Sequence, residues 1–292
     1  IYTILMTVHY GNKLGFRFAS TDPKKIWKSS KINTVVIVTR HDTHSNLVKL
    51  ALEYRKNIFV EKPLALKLEE LDLIDSTFRH MVNHKKNPLR LMVGFNRRFA
   101  PHIVKMKSLL ETKQEPKSIV MTVNAGAIAP DHWTQDTEIG GGRIIGEACH
   151  FIDLMQFLVG YPILNHHAVM IGNSPEIKVR DDKTSITLSF EDGSFGTIHY
   201  FANGGKVFPK ERIEVFCGDA VLQLDNYRVL KGFGWSGFNS MRLIKQDKGQ
   251  RACARAFIDS IRKGKSSPIP FEEIIANSRV TLELASILRK DN

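Results

Sequence analysis

Apolar residues fall in short runs separated by polar stretches, and the rhythm of those runs changes near the first third of the chain. NTVVIVT (33–39) is apolar and rich in β-branched residues, as a strand covered on both faces of a parallel sheet would be. HDTHSNLVKLALEYRK follows with Leu47, Leu50, Ala51 and Tyr54 at helical spacing. NIFVEKP reads as a second strand, LKLEELDLIDSTFRHMVNHK as a second helix and LRLMVGF as a third strand. This alternation predicts half of a doubly wound α/β unit. Ahead of it, IYTILMTVHYGNKLGF reads as a mixed strand or helix remnant ending near Gly15, and TDPKKIWKSS opens with a Thr-Asp cap and a proline suited to a helix start.

Past GFNRRFAP the pattern predicts a helix over 102–114, a strand at SIVMTVNAGA, and one amphipathic helix over GGGRIIGEACHFIDLMQFLVG closed by Gly160 and Pro162. ITLSFEDGSFGTIHYFA, RIEVFCGDAVLQLD and YRVLKGF then alternate around the turn signals EDGS and CGDA, predicting a mainly antiparallel sheet. Helical patterns at 249–263 and 271–289 finish the chain. The fold class is α/β: an incomplete doubly wound N-terminal unit, then an α+β unit with a mostly antiparallel open sheet. The boundary is expected near 95–101, giving units 1–96 and 97–292, with the last helix returning toward the first unit.

Lys plus Arg outnumber acidic residues 42 to 30, a formal charge of +12. That excess suits nucleic acid or an anionic small molecule, but it is not gathered into a block and no nucleic-acid-binding motif accompanies it. No apolar run is long enough to cross a membrane. The apolar N-terminus lacks a basic leader and a cleavage site, so no signal peptide is read there. Cys149, Cys217 and Cys253 are widely spaced without metal-ligand spacing, which points to a reducing, cytoplasmic setting and to no metal requirement.

The stretch V60-E61-K62-P63-L64 ends a strand on a charged pair and a proline. Proline fits the interior of neither a strand nor a helix but suits the turn between them. Lys62 then stands at the C-terminal end of a strand, where open α/β sheets place ligands. A solvated charge pair at an ordinary turn reads equally well from the local sequence.

Taken in order, VTRHDTH, VEKPLA, GFNRRF and GGGRIIGEACHFID resemble the glucose-fructose oxidoreductase, inositol dehydrogenase and MocA family across practically the whole chain. The resemblance implies a partial dinucleotide-binding Rossmann domain at 1–96 and a substrate-binding and oligomerisation domain at 97–292. It implies NAD or NADP as cofactor, and hydride transfer at a carbinol carbon of a sugar or nucleotide-linked sugar in a homo-oligomer. HW at 132–133, HYFANGGK at 199–206 and KGFGW at 231–235 look closer to a subgroup fused behind a zinc-type alcohol dehydrogenase-like module. The first unit lacks the family's G-x-G-x-x-G/A turn: Gly11 and Gly15 lie in the wrong context, and Gly140–Gly142 belong to the second unit. The expectation is a further βα unit carrying that turn upstream of Ile1. The alternative is a noncatalytic sugar-binding or scaffold module that lost the chemistry.

By the same resemblance, Lys62 lies beside the nicotinamide and the reacting hydroxyl, Glu61 positions backbone or cofactor, and Pro63 is a site for a cis bond. Thr39, Arg40 and His44 belong at the cofactor edge; His41 and Asp42 read equally well as a helix cap and are assigned no chemistry. Arg98 is expected to bind a cofactor or substrate phosphate, with Arg97 less committed, and Asn96 to act as a polar clamp. His150 is the expected proton acceptor, with a near-neutral pKa and Asp153 beside it. Many members carry Asp four residues before this histidine. Here that place is Gly146 and the acid is Glu147, turned by about 100° on a helix, where it reaches substrate hydroxyls or caps the glycine-rich entry. His132 and Trp133 suit sugar stacking or loop packing, and Lys206 an anionic group or solvent. Lys62 and His150 are expected to meet only when the cleft closes.

Overall fold

The computed structural model describes residues 2–83 and 89–290. Two helices lead, α1 (Tyr2–Lys13) and the short α2 (Lys24–Trp27), so the N-terminal segment of mixed pattern is helical. Strands β1 (Thr34–Ile37), β2 (Asn57–Val60) and β3 (Leu91–Val93) form a parallel sheet in that order, linked by α3 (His44–Glu53) and α4 (Leu68–Asn83). The end of the predicted second helix, from residue 84, lies outside the described residues. Helix α3 packs on β1 and β2. The apolar run at 33–39 is covered on one face alone, because Val36 and Val38 are 60% and 67% exposed.

The second unit begins with α5 (Pro101–Leu110) and β4 (Ser118–Asn124). After a long loop come α6 (Cys149–Val159), β5 (Ile163–Met170), β6 (Lys183–Phe190), β7 (Phe195–Phe201), β8 (Glu211–Cys217), β9 (Ala220–Asp225), β10 (Val229–Phe233) and β11 (Ser240–Arg242). These make an eight-stranded sheet in the order β11-β10-β9-β8-β4-β7-β6-β5, antiparallel throughout except at β4–β7. The β8–β9 hairpin turns on Gly218 and Asp219, both at positive φ, as a tight two-residue hairpin requires. Helices α7 (Gln250–Arg262) and α8 (Phe271–Lys290) follow. The last helix packs against α6 and β5 of the second unit and against α4 and β3 of the first. Paired charges fasten it there, with Arg79 on Glu272 and Arg279 on Asp72.

The helix predicted over 140–160 is not one regular helix. Gly141 and Gly142 take positive φ, a π-type turn covers Ile144–Ala148, and the α-helix proper starts at Cys149. Such wider turns are uncommon and cluster at functional sites.

Candidate active site

The C-terminal ends of β1 and β2 meet the π-type turn across a cavity of about 260 Å³. Its lining includes His41 and Lys62 from the first unit, and Arg97, Trp133, Arg143, Glu147 and His150 from the second. At roughly 30 Å³ per water, that volume holds about nine waters, the scale of one sugar ring.

Lys62 sits on the turn between β2 and α4, and the Lys62–Pro63 peptide is cis. Its Nζ donates to the Gly146 carbonyl at 2.5 Å. His44, fully buried, braces this turn, with Nδ1 2.7 Å from the Pro63 carbonyl and Nε2 3.1 Å from that of Thr39. It therefore ties the end of β1 to the turn that carries the lysine. Thr39 itself is exposed and bonded to Thr43, and Arg40 lies over the Trp133 ring at 5.6 Å. Glu61 packs against Gly94, where an added Cβ would come within 2.9 Å of its carboxylate.

His150 lines the cavity from the first turn of α6, its ring edge-on to Phe95. Its Nδ1 is enclosed without a hydrogen-bond partner. Burial pushes its pKa well below 6.5, and Arg97, Lys62, Lys248 and Lys210 push it the same way. The near-neutral histidine flanked by Asp153 is thus corrected on both counts. Asp153 turns instead to Arg98, which spans Asp153 and Glu273 in the interior. Burial raises Asp153 to about 6 despite that pairing. Arg98 and Asp153 lie outside the cavity lining, and Arg98 is committed to carboxylates rather than open to a phosphate.

Glu147 does reach the cavity, already engaged. It accepts from Arg143 Nη2 at 2.5 Å, Tyr200 Oη at 2.7 Å and Lys210 Nζ at 2.8 Å. Burial alone would push its carboxyl up; Lys210, Arg143 and Tyr200 outweigh that and hold it at about 2. It is an ionised anchor, not a proton acceptor. Asn96 donates to the Lys248 carbonyl, His132 is exposed and bonded to Thr134, and Lys206 is exposed on the β7–β8 loop; none of the three lines the cavity.

Two less committed residues belong to the site. His41, read as a cap, is buried with Nδ1 2.7 Å from the Gly140 carbonyl and its ring edge-on to Trp133 at 4.9 Å. A carbonyl only accepts, so Nδ1 carries the proton and Nε2 is left as an acceptor. Burial and the Lys62 charge bring His41 down to about 4, which keeps the ring neutral. An added Cβ on Gly146 would come within 3.2 Å of His41 Cε1, so His41 stands where a side chain at 146 would begin. Arg97 is the second, held by Glu211 at 2.9 and 3.0 Å. The loop before α6 closes the site. At Gly140 the Trp133–Thr134 backbone approaches so closely that a Cβ would meet it at 2.4 Å.

Residues 9–95 match the family model described as "Oxidoreductase family, NAD-binding Rossmann fold", and residues 105–223 match the GFO/IDH/MocA C-terminal domain. The chain belongs to the Gfo/Idh/MocA oxidoreductase family. Among curated members, it is 27% identical over 224 residues to myo-inositol 2-dehydrogenase of Thermotoga maritima, covering 74% of this chain and 63% of that protein. It is 29% identical over 192 residues to scyllo-inositol 2-dehydrogenase (NAD(+)) of Bacillus subtilis, covering 64% and 53%. The chain thus spans between half and two thirds of the length of these two members. Among solved structures, levoglucosan dehydrogenase in complex with NADH and levoglucosan superposes with a TM-score of 0.81 at 20% identity, covering 97% of this chain and 85% of that one. An oxidoreductase domain protein from Kribbella flavida gives 0.82 at 21% identity, with the same coverage. These two likenesses establish the shared fold. The first unit supplies strand ends and Lys62 to the cavity, and residues 1–96 hold no G-x-G-x-x-G/A turn. Among the described residues, no cluster of His, Cys, Asp and Glu suits a metal ion, and no helix is long and apolar enough to span a membrane.

Proposed function

We propose that the protein is an NAD(P)-dependent oxidoreductase acting at a carbinol carbon of a sugar or nucleotide-linked sugar. One observation carries the reading: Lys62 and His150, from different units, line the same cavity. Lys62 bonds the carbonyl four residues ahead of His150, so no swing of the units is needed to bring the two together. NAD or NADP, when bound, would supply the hydride acceptor or donor. Lys62 would hold the substrate oxygen and stabilise negative charge developing on it. His150, kept unprotonated by its surroundings, would take the hydroxyl proton. Trp133 offers an apolar wall and His41 Nε2 an acceptor for a neighbouring hydroxyl.

In the active protein, Lys62→Met should lower kcat about 10²–10³-fold, the usual loss for one such donor, with dinucleotide affinity nearly unchanged. A properly folded Lys62→Met variant with wild-type kcat would remove the lysine from the chemistry.

Other features support a wider reading. The resemblance at HW, HYFANGGK and KGFGW supports placement in the subgroup fused to an alcohol dehydrogenase-like module, with the domain boundary at 96–97. Free, buried cysteines support a cytoplasmic setting. Register places Val169, Phe195, Phe201, Phe216 and Phe233 on one face of the large sheet, each at least 37% exposed. That row supports a homo-oligomer built on this face. A solution mass that stays monomeric as concentration rises would exclude it.

A further inference from the structure

The charges around the cavity do not balance. Glu147 is shared by Arg143 and Lys210. Glu211 is shared by Arg97 and Lys248. Lys62 meets a backbone carbonyl, and no carboxylate pairs with it among the described residues. Five cations therefore stand against two carboxylates. Counting Arg98 with its two partners, Asp153 and Glu273, still leaves an excess of two positive charges. Arg40 adds another at the rim, over Trp133. The cavity-side Arg143 guanidinium also has an enclosed Nε without a partner. Unpaired charge in a confined, partly dry site is costly unless a ligand completes it.

Resting on the sugar dehydrogenase reading, we infer that the substrate is an anionic sugar, carrying a carboxylate, phosphate or sulfate on the ring that enters this cavity. The volume fits one ring with its substituent. Placement of the anion explains the otherwise awkward state of His150. Burial first, and then four cations, depress its basicity, and an incoming negative charge offsets the cations' share. The histidine then becomes a better proton acceptor when substrate is present, and a neutral sugar gives no such gain.

The test is calorimetric binding of D-glucuronate, D-glucose 6-phosphate and D-glucose 6-sulfate to the full chain, against D-glucose, myo-inositol and UDP-glucose. At least one charged monosaccharide should bind at least about tenfold more tightly than D-glucose. Glucose 6-phosphate and 6-sulfate share one linkage and differ in charge, while glucuronate brings its carboxylate closer to the ring, so the tightest indicates the charge and reach that are read. The advantage should shrink between low and high salt as screening tightens. It should also shrink in Lys210→Met, with D-glucose affinity nearly unchanged. Equal binding of neutral and charged sugars, a salt-insensitive preference, or no sugar binding would each overturn the inference. Binding of UDP-glucose alone would also overturn it, because the charge recognised would then be the diphosphate. Turnover separates this inference from the broader reading. Oxidation of D-glucose by a protein without charge preference leaves the dehydrogenase reading standing. Charge-selective binding without hydride transfer in the folded, dinucleotide-bound protein leaves the preference standing and removes the dehydrogenase.

Discussion

Replacing Glu147 by Gln removes one charge from a cluster that the structure binds through Arg143, Lys210 and Tyr200. The carboxyl sits at about 2 against an ordinary 4.5. At about 1.4 kcal/mol per pH unit, that difference is worth roughly 3 kcal/mol of folding stability at neutral pH. The sign follows from linkage: the folded pKa is depressed, so the contribution is complete above 4.5 and fades as pH falls toward 2. At pH 3 about 1 kcal/mol should remain. Urea unfolding of wild type and Glu147→Gln at pH 7 and pH 3 reads the two values, and taking the difference between proteins cancels the other titrating groups. Wild type should lead by about 3 kcal/mol at pH 7 and about 1 kcal/mol at pH 3. A gap that stays constant across that range would refute the claim that the cluster acts through the Glu147 charge.

His150 stays unprotonated across pH 6–8 because its pKa lies well below 6.5. The kcat/KM profile, which reports the free enzyme, should therefore be flat there, and His150→Asn should lower kcat about 10²–10⁴-fold. An inflection near 6.5 that disappears in the variant would contradict this. Gly146→Ala should push His41 aside, since its Cβ would stand 3.2 Å from the imidazole. The expected result is a raised sugar KM with dinucleotide affinity unchanged; wild-type kinetics would show that the ring yields without consequence.

Elements with a strong period were legible in the sequence. The alternation around Gly193 and Gly218 and the final helix stand as their patterns indicate, and the β-branched run is a strand at Thr34–Ile37, though covered on one face alone. Strand β5 was not legible, because ILNHHAVM puts exposed polar residues on an edge strand. The π-type turn was equally hidden, as its wider hydrogen bonding depends on neighbours that the local sequence does not name. In the site, Lys62 and His150 were legible because each sits in a motif. Asp153 was misassigned because proximity along a helix suggested His150, whereas Arg98, 55 residues away in sequence, makes the better-matched pair. His41 went unnoticed as a cap residue. The signal available was Gly146, whose missing side chain leaves room for another group.

The long return of α8 also sets a timetable for synthesis. Asp72 and its partner Arg279 are 207 residues apart, and Arg79 waits across 193 residues for Glu272. At about 5–20 residues per second on the ribosome, α4 emerges roughly 10–40 s before the helix that covers it. During that interval the outer side of α4 and the edge at β3 have only the solvent and cellular chaperones as neighbours. The N-terminal third of this chain is made first and finished last.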